Sequence, residues 1–118
     1  MIEKFMEINI LLDFYGSLLS EKQYKAIIMY YNFDCSINEI ADEIHISKQA
    51  VSDNIKRGEI KLQEYEEKLG LWRQEKLRVK KLKTLHELFS KLRQTSNGIN
   101  QEILTTIETI IFTNEEVY

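Results

Sequence analysis

The sequence predicts an all-α protein, and three of its features carry that prediction. The 118 residues include no proline and only four glycines, so the strongest helix breaker is absent from the sequence. Ser-x-x-Gln at residues 20–23 and Ser-x-x-Glu at residues 36–39 are typical of helix N-termini. Apolar side chains recur at helical spacing along most of the chain. The length fits one globular unit, which we divide into a helical body (residues 1–70) and a C-terminal helical arm (residues 71–118) that either belongs to the same domain or serves dimerisation.

The first two helices are predicted from their apolar spacing and their boundary residues. Helix one spans residues 2–15, and Gly16 follows it where a left-handed cap is expected. Its apolar face comprises Ile2, Phe5, Met6, Leu12 and Tyr15. Helix two begins after Ser20 and ends near Phe33. Its apolar stripe comprises Tyr24, Ile27, Ile28 and Tyr31.

The next two helices are short and long, respectively. Ser36 precedes a helix of about two turns over residues 37–44, which is short enough to need neighbours. Ser47 precedes a fourth helix that ends before Gly70. Its apolar residues are Ala50, Val51, Ile55, Ile60, Leu62, Tyr65 and Leu69.

The C-terminal arm is predicted to hold two more helices. A long basic amphipathic helix spans residues 71–94 and stops at residues 96–98; its apolar stripe comprises Trp72, Val79, Leu82, Leu85, Phe89 and Leu92. Residues 99–112 form a last helix despite many β-branched side chains, and residues 113–118 form a frayed tail. We expect Trp72 to anchor the long helix on the body. The rest of the stripe needs either a partner or a fold-back of residues 99–112, and we expect a homodimer.

Charge is distributed in three blocks along the chain. Residues 1–70 carry a net charge of −5, residues 71–98 a net charge of +6 and residues 99–118 a net charge of −4, within an overall charge of −3. The central block supplies a candidate secondary basic patch, which is either a nucleic-acid contact, a protein contact or a solvated helix face. The patch comprises Arg73, Lys76, Lys80, Lys81 and Lys83.

Residues 36–57 have the pattern of a helix-turn-helix motif. Ala41 is the small residue expected where two short helices meet, and five apolar side chains form the expected buried set. These are Ile40, Ile44, Ile46, Val51 and Ile55. His45 occupies the turn position where glycine is usual. Since histidine is found at positive φ more often than most side chains, we expect a slightly strained turn there.

The second helix of this motif is the predicted recognition helix, and it supplies the candidate nucleic-acid-binding residues. These are Ser47, Lys48, Gln49, Ser52, Lys56 and Arg57. The amide and hydroxyl side chains are suited to base edges, the basic ones to phosphates, and the helix N-terminus adds backbone donors. Asp53 opposes phosphate binding. Because tri-helical cores of this kind also bind proteins, the motif is compatible with either DNA binding or protein binding.

Two protein families resemble this sequence. The stretch from Leu19 to Gly70 looks like region four of bacterial sigma factors, in particular residues 36–41 (SINEIA) and 50–57 (AVSDNIKR). A closer resemblance is to the YlxM family, small helix-turn-helix proteins of Gram-positive bacteria, through residues 11–23, 49–57 and 64–71. This second resemblance covers roughly residues 1–90 and omits the final twenty or so.

The resemblance implies a regulatory role linked to the signal recognition particle pathway, because members of this family are encoded next to the targeting GTPases. We therefore expect a nucleic-acid-binding regulator with DNA as its partner. The alternative is a protein-interaction factor that binds the targeting GTPases or their RNA, with the helix-turn-helix as a scaffold only.

Catalytic and metal chemistry find little support in the sequence, so we expect no enzyme activity, no cofactor and no metal site. His45 and His86 lie far apart without acidic or cysteine companions at ligand spacing, and Cys35 has no nearby base. The glycines form no phosphate loop. No apolar run reaches the ~20 residues of a membrane span, and no secretory signal is evident, so we expect a cytoplasmic protein.

Overall fold

The structure is a computed structural model that describes residues 2–95 and 98–112. Within these ranges all regular structure is helical, which confirms the predicted all-α class. The helices are α1 Ile2–Tyr15, α2 Glu21–Tyr31, α3 Ile37–Ile44, α4 Lys48–Leu69, α5 Leu71–Thr95 and α6 Gly98–Phe112, with a 3₁₀ turn at Gly16–Leu18. Of the predicted stop at residues 96–98, Gly98 is instead the first residue of α6. Residues 96–97, the tail of residues 113–118 and the side chains of Ile2 and Ile99 lie outside the described part.

Both predicted capping boxes are present. The Ser20 hydroxyl accepts a hydrogen bond from the backbone N–H of Gln23 at 3.2 Å, and the Gln23 side chain accepts one from the backbone N–H of Ser20. Ser36 and Glu39 make the same reciprocal pair at 3.1 and 2.9 Å. These bonds satisfy N–H groups that have no partner inside the helix, so they fix where α2 and α3 begin.

The first core cluster joins α1, α2 and α4. It consists of Ile8, Leu11, Leu12, Tyr15, Leu19, Ile27 and Leu62. The predicted inner face of α1 is wrong at its start, because Phe5 and Met6 are 42% and 56% exposed. The buried α1 residues follow a continuous helical row from Ile8 to Tyr15, and that row turns Met6 away from α4.

Gly16 is not the left-handed cap that the sequence predicts. It starts the 3₁₀ turn instead and is buried, and positive φ occurs in the described chain only at Asp34, His45 and Gly70. A Cβ atom at Gly16 would lie 3.0 Å from Cε1 of Tyr24. The ring that packs over this position thus explains the glycine. Tyr24 itself, which the sequence places on the apolar stripe of α2, is 41% exposed.

The second core cluster holds the helix-turn-helix together. It consists of Ala26, Ile40, Ala41, Val51 and Ile55, with Ile44 and Ile46 partly buried against it. This is the predicted buried set with one addition from α2, so the motif is confirmed. In α4, Ile60 and Leu69 are instead 58% and 49% exposed.

Gly58 of α4 lies against the side chain of Ile27 from α2. A Cβ atom at this position would lie 2.3 Å from Cδ1 of Ile27, which is fully buried. A residue without a side chain leaves room for the Ile27 side chain, so Gly58 has a packing role within a helix that glycine otherwise disfavours.

The start of α5 is fastened to the body through Glu66. Its Oε1 accepts hydrogen bonds from the Tyr15 hydroxyl at 2.7 Å and from the backbone N–H of Trp72 at 3.0 Å. Its Oε2 accepts one from the backbone N–H of Arg73 at 3.1 Å. Gly70 between α4 and α5 has a φ of 63°. The Trp72 side chain packs against the first core cluster, which confirms its predicted role as an anchor.

The described chain divides into two compact units, one ending at Arg73 and the other beginning at Gln74. In the second unit α6 folds back along α5. Arg93 pairs with Glu108 and Gln101, while the Phe112 ring meets His86 edge-on at 5.6 Å and Phe89 at 6.4 Å between centroids. Of the two alternatives for the α5 stripe, the fold-back therefore occurs, but it covers the stripe only in part: Phe89 meets α6, whereas Leu85 and Leu92 are 37% and 51% exposed.

Candidate nucleic-acid interface

The turn between α3 and α4 is built around His45. This residue ends α3 in the left-handed conformation, with φ 58° and ψ 46°, as expected from its place in the motif. Its N–H and that of Ile46 both donate to the Ala41 carbonyl, which closes the turn. A residue with a side chain is disfavoured at positive φ, so the packing of α3 against α4 must hold the His45 backbone in this conformation.

The N-terminus of α4 is capped as predicted. The Ser47 hydroxyl accepts a hydrogen bond from the backbone N–H of Ala50 at 3.0 Å. Ser47 and the first two residues of α4, Lys48 and Gln49, are all exposed. The N–H groups of a free helix N-terminus carry partial positive charge, so this end of α4 suits an anionic group such as a phosphate.

The outward face of α4 gathers most of the candidate residues. Gln49, Ser52 and Lys56 lie on the side of the helix away from the buried Val51 and Ile55. Lys48 and Arg57 lie at the two edges of that face, and both are exposed. The face therefore combines two side chains able to read base edges with three cations.

Asp53 also belongs to this face, in a role that the sequence analysis did not assign to it. The Gln49 amide Nε2 donates to Oδ1 of Asp53 at 3.2 Å. This bond uses a donor of Gln49 and leaves its Oε1 to accept from a ligand. The four-residue spacing of a Gln and an Asp on a helix is the sequence signal that predicts such a pair.

The five residues of the predicted secondary basic patch do not share one helix face. Lys76, Lys80 and Lys83 form a row along α5, at the three- and four-residue spacing that keeps side chains together. Lys81 lies on another side of the helix. Arg73 belongs to the first unit, where its backbone N–H binds Glu66.

Other kinds of site have little support in the described residues. No group of three or more His, Cys, Asp or Glu side chains there could hold a metal ion. His86 is exposed, and its ring packs edge-on against that of Phe112. Among the same residues, no helix is both long and apolar enough to cross a membrane.

Comparison with known proteins identifies the family. A family described as "Putative helix-turn-helix protein, YlxM / p13 like" (UPF0122) matches residues 2–106. The chain belongs to the UPF0122 family. The match reaches beyond the roughly 90 residues covered by the resemblance in the sequence analysis and takes in more than half of α6.

Relatives in the UPF0122 family align over most of their own length. The UPF0122 protein YlxM of Bacillus subtilis is 45% identical over 101 residues, which is 86% of each chain. A UPF0122 protein of Bacillus pumilus is 49% identical over 97 residues, covering 82% of this chain and 88% of its own. A UPF0122 protein of Halalkalibacterium halodurans is 43% identical over 110 residues, covering 93% and 96%.

Proposed function

We propose that this UPF0122 protein is a non-catalytic regulator that binds duplex DNA through the outward face of α4. The observation that carries the proposal is the helix-turn-helix itself: a short α3, a tight turn at His45 and an α4 whose capped N-terminus and polar face are exposed. In helix-turn-helix proteins the second helix enters the major groove and reads base edges with its N-terminal residues. The resemblance to sigma factor region four supports the same use of this helix.

Each side chain on the face has a distinct proposed role. Lys48, Lys56 and Arg57 contact phosphates and so supply affinity without sequence preference. Gln49 reads a base edge, and its bond to Asp53 leaves a carbonyl acceptor for an exocyclic amine of adenine or cytosine. Ser52 lies between these groups and can donate or accept.

A charge-reversal experiment tests this proposal. Lys56→Glu with Arg57→Glu replaces two cations on α4 by anions, and we expect it to abolish binding to duplex DNA. A triple reversal at Lys80, Lys81 and Lys83 is the control on α5 and is expected to leave most DNA binding intact. Binding is measured by fluorescence anisotropy at 50 and 200 mM salt, because phosphate contacts make affinity fall steeply with salt. The opposite pattern of losses would reject α4 as the interface.

A second candidate function is a protein-interaction role in the signal recognition particle pathway, with the targeting GTPases or their RNA as partner. One surface favours it: a groove between α2 and the helix-turn-helix turn, with Tyr24, Met29, Phe33 and Ile44 among its apolar lining residues and Lys25 and Glu43 among its charged ones. Phe33 is 69% exposed there and Tyr24 is 41% exposed, so the groove offers adjacent apolar surface to a partner.

The two candidates predict different effects of one substitution. Phe33→Ser removes the exposed ring of the groove without touching the outward face of α4. If the groove is the working surface, Phe33→Ser weakens binding to a targeting GTPase at least tenfold, while Lys56→Glu with Arg57→Glu leaves it unchanged. If α4 binds DNA, Phe33→Ser has no effect on DNA affinity.

A further inference from the structure

One side of α5 keeps four leucine side chains exposed although α6 packs against this helix. They are Leu77, Leu85, Leu88 and Leu92, and their exposed fractions range from 37% to 54%. At 100° of turn per residue, the four lie within about 80° of the helix circumference. Single exposed leucines are normal on protein surfaces, whereas four in one row along a helix form an apolar patch. This row is hereafter the leucine face.

The leucine face lies between the contact with α6 and a basic edge. On one side of it, Phe89 and Arg93 turn toward α6 and contact that helix. On the other side, Lys80 and Lys91 lie about 40–60° beyond the nearest leucine, at 100° of turn per residue. Lys81 lies within the face itself. All three lysines are exposed, so the face presents apolar surface and positive charge together.

A shallow depression on the leucine face combines both kinds of side chain. Its volume is 520 Å³, and its lining comprises Leu77, Leu85, Lys80, Lys81 and Thr84. The leucines suit an aliphatic chain, and the two ammonium groups suit a phosphate. An anionic phospholipid carries an aliphatic chain beside an anionic headgroup, so it matches both parts of the depression at once.

The shape of the leucine face favours a bilayer over other anionic partners. Nucleic acid offers phosphates to the lysines, but its backbone offers no apolar surface that would bury the leucines. A partner helix typically docks in a groove. In the second unit α6 is the only other described helix, and it contacts the edge opposite the lysines, so none borders the basic edge. From Leu77 to Leu92 the face extends ~22 Å along a single helix, which fits a flat surface.

We propose that the leucine face of α5 binds the surface of bilayers that contain anionic phospholipid. The leucines enter the boundary between headgroups and acyl chains, while the lysines extend their ammonium groups to the level of the phosphates. Residues 71–98 carry a net charge of +6 within a chain of net charge −3. Because salt screens charges beyond ~10 Å at 0.1 M, the local positive charge governs this contact. The proposal goes beyond DNA binding and uses different residues.

The test is flotation of the full chain with large unilamellar vesicles. One preparation is phosphatidylcholine alone, and the other contains equal parts of phosphatidylcholine and phosphatidylglycerol. We expect the wild type to bind the anionic vesicles at 50 mM salt and more weakly at 200 mM, because added salt shortens the range of the attraction. No measurable binding to the neutral vesicles is expected, since apolar contact by one row of leucines lacks the electrostatic contribution.

A charge-reversed pair of variants tests the lysines. Lys80→Glu with Lys81→Glu replaces both cations of the depression by anions, and we expect it to weaken binding to anionic vesicles at least tenfold. Lys56→Glu with Arg57→Glu on α4 changes the net charge by the same amount. This control is expected to leave vesicle binding unchanged, because the reversed charges lie outside the leucine face.

A second pair of variants tests the leucines at constant charge. Leu77→Ser with Leu88→Ser removes apolar surface from the face, and we expect it to weaken binding to anionic vesicles at least tenfold. Leu18→Ser with Ile60→Ser is the matched control in the first unit, where these side chains are 51% and 58% exposed against 52% and 54% for the leucine pair. The control is expected to bind as the wild type does. Circular dichroism checks that every variant keeps its helix content.

Three results would overturn the proposal: a wild type that does not float with anionic vesicles at 50 mM salt, a control that loses as much binding as its matched variant, or a leucine variant that binds as tightly as the wild type. If Lys80→Glu with Lys81→Glu weakens DNA binding instead of vesicle binding, α5 belongs to the nucleic-acid interface and the proposal fails. Vesicle binding is measured without nucleic acid, so a protein that binds vesicles but not DNA would reject the proposed function alone.

Discussion

The bonds around Glu66 make a quantitative prediction about how α5 is held to the body. Replacing Glu66 by Gln keeps the shape of the side chain but removes its charge. One of its three donors, the Arg73 N–H on Oε2, then faces an amide N–H₂ group, and the bonds from Tyr15 and Trp72 lose their charged acceptor. The start of α5 also loses a favourable interaction with the helix dipole.

The expected loss is about 2 kcal/mol of unfolding free energy, since a hydrogen bond to a charged group contributes about 1.5–3 kcal/mol. Tyr15→Phe is expected to cost a similar amount. It removes the donor to Glu66 and leaves the N–H of Leu71, now 3.0 Å from the Tyr15 oxygen, without its acceptor. Either loss is a large part of the roughly 5–15 kcal/mol that stabilises a typical domain.

The effect should depend on pH with a definite sign. Partial burial raises the pKa of Glu66, but the bonds from Tyr15, Trp72 and Arg73 and the Arg73 charge outweigh it, so the pKa lies below its ordinary value of 4.5. A carboxyl whose pKa is lowered by folding stabilises the folded state above the unfolded pKa and loses this contribution as pH falls through the folded pKa. The Glu66→Gln deficit should therefore be full at pH 7 and shrink below pH 4.5.

Urea unfolding followed by the fluorescence of Trp72, the single tryptophan, measures this deficit directly. A loss of 2 kcal/mol corresponds to a midpoint shift of roughly 1 M urea. Glu67→Gln is the matched control, because Glu67 is exposed and the same substitution there should stay within about 0.5 kcal/mol. Equal losses in the two variants, or a Glu66→Gln deficit that persists undiminished at pH 3, would refute the assignment.

Three further predictions concern packing, the turn and the hairpin. Gly58→Ala should lower the free energy of unfolding by about 1 kcal/mol, because the new methyl group meets Cδ1 of Ile27. In the Ile27→Val background, which lacks Cδ1, the same substitution should raise it, since alanine favours a helix more than glycine does. Urea unfolding measures both, and a loss in both backgrounds would reject the close contact. His45→Gly should be at least as stable as the wild type, whereas His45→Val should lose about 1–2 kcal/mol because positive φ suits glycine and not a β-branched residue. Arg93→Ala should lower the hydrogen-exchange protection of α6 about tenfold as its bonds to that helix are lost, and unchanged α6 protection would contradict the fold-back.

Helix positions and the helix-turn-helix followed from the sequence because their signals are local. Each capping box lies within four residues, and the alternation of apolar residues through Ile40, Val51 and Ile55 requires only that α3 and α4 face each other. His45 at the turn was likewise predicted by its place between two apolar residues of the motif. Such features depend on neighbours in sequence, so one chain suffices to find them.

The errors arose where distant residues decide the structure. Gly16 looks like a cap in sequence, but its role is set by the Tyr24 ring. The exposure of Phe5 and Met6 depends on which side of α1 meets α4, and several apolar residues fit a helical row there. From sequence alone, Gly58 is only an unfavourable residue within a helix, and its packing against Ile27 becomes evident in the structure.

Part of the candidate interface also could not be predicted from the sequence. The basic residues of α5 look like one patch along the chain, yet helical rotation separates Lys81 from the row of Lys76, Lys80 and Lys83, and Arg73 belongs to the other unit. The Gln49–Asp53 bond, in contrast, was available from their spacing.

Duplex DNA binding by the wild type and by Lys56→Glu with Arg57→Glu, each measured at 50 and 200 mM salt, tests whether α4 is a DNA-binding surface. We expect the affinity of the wild type to fall steeply as salt rises, and the variant to show no measurable binding while its unfolding curve stays close to that of the wild type. Wild-type protein that does not bind duplex DNA at 50 mM salt, or a folded variant that binds as tightly as the wild type, would contradict the claim that the outward face of α4 is a DNA-binding surface.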